Sequence, residues 1–195
     1  KEKKPKAYLF KEGGDPARTA ALVNLLLSQG IEVQRSQEAF VAGPVKKLEG
    51  GYLEREQFPA GSYVVSLTQP RCRLANALLE PEPAALDLYF YDVSAWSLPL
   101  AFGVDAYACE TEIETKLSWI HGTPQLQNAI LTKASYAYLI PWDCGSAPAL
   151  LYHLAEEGSI ARLAGKEFRL QSRDFSRGTA MAPVQGNPDS RHARL

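Results

Sequence analysis

The feature that most constrains this chain is a set of four landmarks that recurs, in the same order, in its two halves. Ala137-Tyr138-Leu139-Ile140 echoes Ala7-Tyr8-Leu9-Phe10, and Gly158 follows a helical stretch as Gly30 does. Phe168 corresponds to Phe40, and Phe175-Ser176-Arg177-Gly178-Thr179 to Phe58-Pro59-Ala60-Gly61-Ser62. The offset is 130 at the first strand, 128 at the glycines and at Phe40/Phe168, and 117 at Gly61/Gly178. It changes where the sequence reads as surface loop, which is where insertions fall. Two copies are too few for a solenoid, which needs at least about three stacked repeats. They read as two similar halves, about residues 5–105 and 135–190, of a single domain spanning 1–195.

Local patterning gives each half a β-α-β reading. Ala7 to Phe10 is a short, wholly apolar strand. Asp15 is placed to cap a helix with Pro16 at its first position, and Leu22, Leu25 and Leu26 share one face before Gly30 ends it. Ile31-Glu32-Val33 begins a second strand. Such units build parallel sheets with helices on both faces, so the expected fold is a three-layer α/β sandwich with a mainly parallel sheet. Val41 to Glu56 reads as a hairpin or long surface connection whose arms are Lys47-Leu48-Glu49-Gly50-Gly51-Tyr52-Leu53. Ser62 to Leu67 is a strand closed by Gln69-Pro70, and Arg71 to Glu80 a helix with Leu74, Ala77 and Leu78 on one face, stopped at Pro81-Glu82-Pro83. Thr111 to Leu117 alternates like a strand, Gly122-Thr123-Pro124 reads as a turn, and Leu126 to Leu131 fits helix or strand. Pro148 to Glu157 reads as a helix ended by Gly158.

At the end of the first half, where the chain crosses towards the second, lies Tyr91-Asp92-Val93-Ser94-Ala95-Trp96-Ser97-Leu98-Pro99-Leu100-Ala101-Phe102-Gly103-Val104. Pro99 predicts a break after a helical segment at Asp92 to Ser97, and Gly103 supplies a stop or a left-handed position. Burying Trp96 alone would be worth up to roughly 5 kcal/mol. The stretch therefore reads as a packing plug, with Asp92 a helix cap or an acceptor of backbone hydrogen bonds.

Composition excludes several function classes. A net charge of −1 gives no electrostatic case for nucleic acid or an anionic membrane, and no apolar run approaches the ~20 residues of a membrane helix. Cys72, Cys109 and Cys144 are odd in number and lack CxxC spacing, which argues against a disulfide framework or a structural zinc site. Lys1-Glu2-Lys3-Lys4 leads straight into the first strand without an initiator Met or signal-peptide pattern, as in an excerpt of a longer protein or a processed terminus.

The chemistry-bearing residues are few. His153-Leu154-Ala155-Glu156 spells HxxE, but at the end of a helix, where a histidine also suits the macrodipole. Cys144 follows a strand and precedes a helix, a place where thiols are activated, yet no Gly-x-nucleophile-x-Gly elbow surrounds it. The turns at Gly13-Gly14 and Cys144-Gly145 match neither phosphate-binding glycine motif. The loops holding Asp15, Trp142 and Ser146 are candidate binding positions for a small ligand or glycan, because α/β folds place ligands at strand ends.

Phe58-Pro59-Ala60-Gly61-Ser62-Tyr63-Val64-Val65, then Gln69-Pro70, Leu78-Leu79-Glu80 and Tyr91 to Leu100 with Gly103-Val104, form an ordered set. It resembles the region after the catalytic domain of bacterial zinc carboxypeptidase-like proteins, a domain similar to class I glutamine amidotransferases. The resemblance implies a non-catalytic accessory domain of a larger, exported (periplasmic or extracellular) peptidase, with the catalytic domain and its zinc upstream of Lys1. It implies no cofactor in this chain. The partners would be that peptidase domain and, through it, a peptide substrate. The alternatives are an amidotransferase-like hydrolase using Cys144 and a small-ligand or glycan-binding module.

Overall fold

The computed structural model describes residues 4–13, 15–81, 97–124 and 133–187. The chain divides into two compact units, Lys1–Leu126 and Gln127–Leu195. In the first, β1 (Ala7–Phe10) is buried along its whole length and leads to α1 (Pro16–Ser28). Asp15 caps α1 by accepting from Ala17 N at 3.1 Å and Arg18 N at 3.3 Å, and Pro16 opens it as expected. Leu22, Val23 and Leu26 point inward. At Gly30, with φ of 70°, the chain turns back so that Ile31 N donates to Leu26 O at 3.0 Å. A side chain would strain that left-handed position.

The next strand, β2 (Gln34–Ser36), starts three residues later than Ile31. Two nested ribbons follow: β3 (Phe40–Ala42) pairs with β6 (Glu56–Phe58), and β4 (Val45–Lys47) with β5 (Tyr52–Leu53). A Cβ at Gly43 would collide with the Glu54 carbonyl, so only glycine permits this close join. β7 (Tyr63–Ser66), α2 (Cys72–Leu79), α3 (Leu98–Phe102), β8 (Ala106–Cys109) and β9 (Leu117–Trp119) complete the unit.

The seven-stranded sheet has the order β5-β4-β8-β1-β7-β2-β9, and every registered pair is antiparallel. This overturns the mainly parallel three-layer α/β sandwich. β1 and β2 do run in the same direction around α1, but β7 lies between them, antiparallel to both. β7 and β8 flank β1 in the same way across α2 and α3. The order β8-β1-β7-β2 is therefore that of the double split β-α-β, ferredoxin-like arrangement. Periodicity reports that a strand is buried on both faces, not what covers it. Here α1 and α2 cover one face through Tyr8, Phe10, Tyr63 and Val65. The β3–β6 ribbon covers the other through Phe58, packed with Leu9, Val64 and Tyr107. A ribbon thus stands where a second helical layer was expected.

Three local readings also change. Pro99 is not followed by an extended apolar run: it sits in the first turn of α3, where its missing N–H costs nothing, and Gly103 closes that helix with φ of 63°. The expected helical segment from Asp92 lies, up to Ser97, outside the described residues. On α2 the inward residues are Ala75 and Leu79, flanked by Leu74 and Leu78, while Ala77 faces solvent. Of the stretch from Thr111, only Leu117 belongs to a strand, β9. The plug residues Asp92 and Trp96, and all of Leu126 to Leu131, lie outside the described residues.

The second unit comprises β10 (Ala137–Ile140), α4 (Ala147–Glu156), β11 (Arg162–Leu163), β12 (Phe168–Leu170), β13 (Arg173–Phe175) and β14 (Ala180–Pro183). Its sheet order, β10-β14-β11, reproduces β1-β7-β2, and β12–β13 reproduces β3–β6. The registers also match. Leu9 faces Val64 as Leu139 faces Met181, Gln34 faces Val64 as Arg162 faces Met181, and Phe40 faces Phe58 as Phe168 faces Phe175. Those facing rings stack at 5.2 Å in the first unit and 5.1 Å in the second. The repeated element spans Ala7–Ser66 and Ala137–Pro183, so α2, α3, β8 and β9 are outside it. What recurs is an antiparallel unit with its own ribbon, not half of a parallel sheet.

Candidate functional site

The candidate positions fall on the turn that follows the first strand of each copy. In the second unit this turn runs from Pro141 to Ser146. It is closed by Cys144 N donating to Pro141 O at 3.4 Å and Ala147 N to Cys144 O at 3.0 Å. The half-buried Cys144 packs beside Leu150 and Leu151 against the small core of Ile140, Leu154 and Ala180. Its Sγ lies 3.1 Å from Ser146 Oγ. A hydroxyl is no base for thiolate formation, and among the described residues no histidine is hydrogen-bonded to this thiol. Trp142 is 47% exposed, and its ring covers Gly178, whose added Cβ would lie 3.5 Å from the indole Cγ. Ser146 is exposed at the start of α4.

The same turn in the first unit uses other side chains for the same covering task. There Glu12 accepts from Arg35 Nη2 at 3.1 Å, and Arg35 Nε donates to Gly61 O at 3.1 Å. Gly61 and Gly178 have φ of 90° and 93°, and a side chain lies over each corner, Arg35 over Gly61 and Trp142 over Gly178. Asp15 is engaged by the helix end and by Arg18 Nε at 3.1 Å. The binding candidates Asp15 and Trp142 therefore have structural work in their own turns, and they belong to different units.

Two recesses accompany these turns. In the first unit a small one of about 190 Å³ is bordered by Glu12, Asp15, Glu49 and Asp105. Lys47 Nζ answers the last two at 3.2 and 3.1 Å, and those hydrogen bonds, Asp105's foremost, raise its pKa above the ordinary lysine value. In the second unit an open cleft of about 630 Å³ is bordered by Pro141, Asp143, Phe168, Arg173 and Phe175 among others. Sequence reasoning used Phe168 and Phe175 only as repeat landmarks, and Arg173, whose guanidinium sits 5.2 Å from the Phe175 ring centre, carried no signal.

His153 and Glu156 face each other at 3.8 Å on the exposed side of α4. His121 is exposed in the first unit, and His192 is outside the described residues. Among the described residues no three His, Cys, Asp or Glu side chains are grouped to hold a metal ion, and no helix is long and apolar enough to cross a membrane. Comparison with family models, with curated proteins and with solved structures gives no match.

Proposed function

We propose that this chain is a non-catalytic accessory domain of a larger polypeptide that carries a zinc carboxypeptidase-like domain, and that it supports that domain or shapes substrate access to it. The observation that carries this reading is the setting of Cys144, the best-placed nucleophile in the sequence. Its thiol is tied to Ser146 in a turn whose counterpart in the first unit bears no nucleophile. Residues of the zinc carboxypeptidase-like motif set also do scaffolding work. Phe58, Tyr63 and Val65 are core, and Gln69 is a buried brace. The zinc of this reading belongs to the upstream domain, as does an exported, periplasmic or extracellular location. The parallel sheet implied by the amidotransferase likeness is not the sheet seen, so that part of the likeness is not carried forward.

The test compares the polypeptide with and without this domain on peptide substrates. Loss of the domain is expected to change KM or substrate range while zinc-dependent turnover survives, and the isolated chain is expected to show no amide or ester hydrolysis. Hydrolysis by the isolated chain that Cys144→Ala abolishes would overturn the reading. So would an upstream coding region without HxxE, a distant His and a catalytic Glu.

A further inference from the structure

The stacked ring pair of the ribbon recurs in both units, but the charges set against it do not. In the first unit Ala42 faces Glu56, and in the second Leu170 faces Arg173, so Arg173 stands in Glu56's place. Pro141 stands in the place of Lys11, just past the first strand of its unit. Lys11 Nζ lies 5.2 Å from the Phe58 ring centre and 5.1 Å from that of Tyr107, and Glu56 is its carboxylate partner. That corner carries both its own cation and its own anion. In the second unit the cation is Arg173, whose guanidinium carbon lies 5.2 Å from the Phe175 ring centre. The neighbouring Asp174 pairs instead with Arg169 at 3.5 Å, and among the described residues no carboxylate pairs with Arg173.

Arg173 stands at the open cleft. This recess of about 630 Å³ is bordered by Pro141, Phe168, Arg173 and Phe175, and by the carboxylates of Asp143 and Glu167. Its size is that of a small-molecule site. Pro141 and Phe168 are half-buried and give it an apolar wall. The Phe175 ring restrains the Arg173 guanidinium, whose planar fork grips a carboxylate through paired hydrogen bonds, so less order has to be imposed on binding. Asp143 and Glu167 set a limit on charge, because they repel a dianion more strongly than a monoanion.

We propose that this cleft binds a small monocarboxylate with an apolar body. The acid group pairs with Arg173, supplying from outside the carboxylate that Glu56 supplies within the first unit, and the body lies against Phe168 and Pro141. Neither the cleft nor the difference between the copies depends on the peptidase reading, so each can fail without the other.

The test is a titration of the whole chain with phenylacetate, followed by backbone amide NMR shifts. Saturable binding in the millimolar range is expected, as for an exposed ion pair with apolar support, with the shifts gathered on β12 and β13. Phenylacetamide, which keeps the shape and loses the charge, and inorganic phosphate are each expected to bind at least about tenfold more weakly. Arg173→Gln should weaken phenylacetate by at least about tenfold as well, and Arg173→Lys, which keeps the charge without the fork, should recover only part of the loss. Pro141→Lys combined with Arg173→Glu rebuilds the first unit's pair and is expected to close the cleft to the probe. Failure of phenylacetate to saturate overturns the proposal, as does amide or phosphate binding as tight as the acid. Parent affinity in Arg173→Gln or in the rebuilt pair overturns it too.

Discussion

Phe58 and Phe175 occupy the same position in two copies of one unit, and their surroundings predict different costs of truncation. Phe58 is fully buried, stacks on Phe40 at 5.2 Å with an interplanar angle of 16°, and meets Tyr107 edge-on. Phe175 is 9% exposed and stacks on Phe168 at 5.1 Å and 9°, with no edge-on ring among the described residues. Phe-to-Ala changes in cores cost about 3–5 kcal/mol, and a well-placed aromatic pair adds about 0.5–1.5 kcal/mol. Phe58→Ala is therefore expected to destabilise the first unit by about 4–5 kcal/mol, and Phe175→Ala the second by about 3 kcal/mol. Urea unfolding of each variant, followed by hydrogen exchange on peptides from each unit, separates the two. A Tyr107→Ala background should remove about 1 kcal/mol from the cost of Phe58→Ala. If Phe175→Ala costs as much as Phe58→Ala, or the Tyr107 background changes nothing, the account of Tyr107 as the extra edge-on partner that sets Phe58 apart from Phe175 is wrong.

Gln69 is expected to matter more than its place beside a surface proline suggests. Its amide accepts from Glu32 N at 2.7 Å and donates to Glu32 O at 3.0 Å and Ser66 O at 2.8 Å, so Gln69→Leu should cost about 2–3 kcal/mol. A loss below about 0.5 kcal/mol would show that water replaces those bonds. The first unit should also weaken in alkali. Burial, then Glu80, raises the pKa of Tyr8, and burial raises that of Tyr63. For Lys11, burial lowers the pKa, but the interactions with Glu56 and Tyr107 together outweigh it, so its pKa is raised too. All three hold protons more tightly when folded, so their contribution is complete below about pH 10 and lost as pH rises through the raised values. Phenolate absorbance and unfolding midpoints should fall out of step with free tyrosine above that pH. A stability that rises there would contradict the sign.

Much of the local structure was legible because it depends on neighbours in sequence. The cap at Asp15 with Pro16, the helix stops at Gly30 and Gly158, and the strands Ala7–Phe10 and Ala137–Ile140 follow from backbone chemistry within a few residues. The helix that begins around Pro99 was not legible, for the converse reason. A proline is compatible with either end of a helix, and only the fate of its neighbours decides which. The candidate site was legible as a location and not as chemistry. The turn from Pro141 to Ser146 is where a strand-to-helix junction belongs, but Ser146, rather than a base, lies beside Cys144.

By itself the sequence determined the repeat, because matching apolar and glycine landmarks survive in the same order with offsets that change only at loops, and it determined that β1 is buried on both faces. Only the tertiary structure decided the direction and identity of each strand's neighbours. A β-α-β segment makes its two strands run the same way whether they touch or leave room for a third, so β7 could enter between β1 and β2 without altering any local signal. The ribbon carrying Phe40 and Phe58 likewise buries Leu9 as well as a helix would. Strand pairing is a non-local choice among similar apolar edges, and the chain made it through contacts dozens of residues apart.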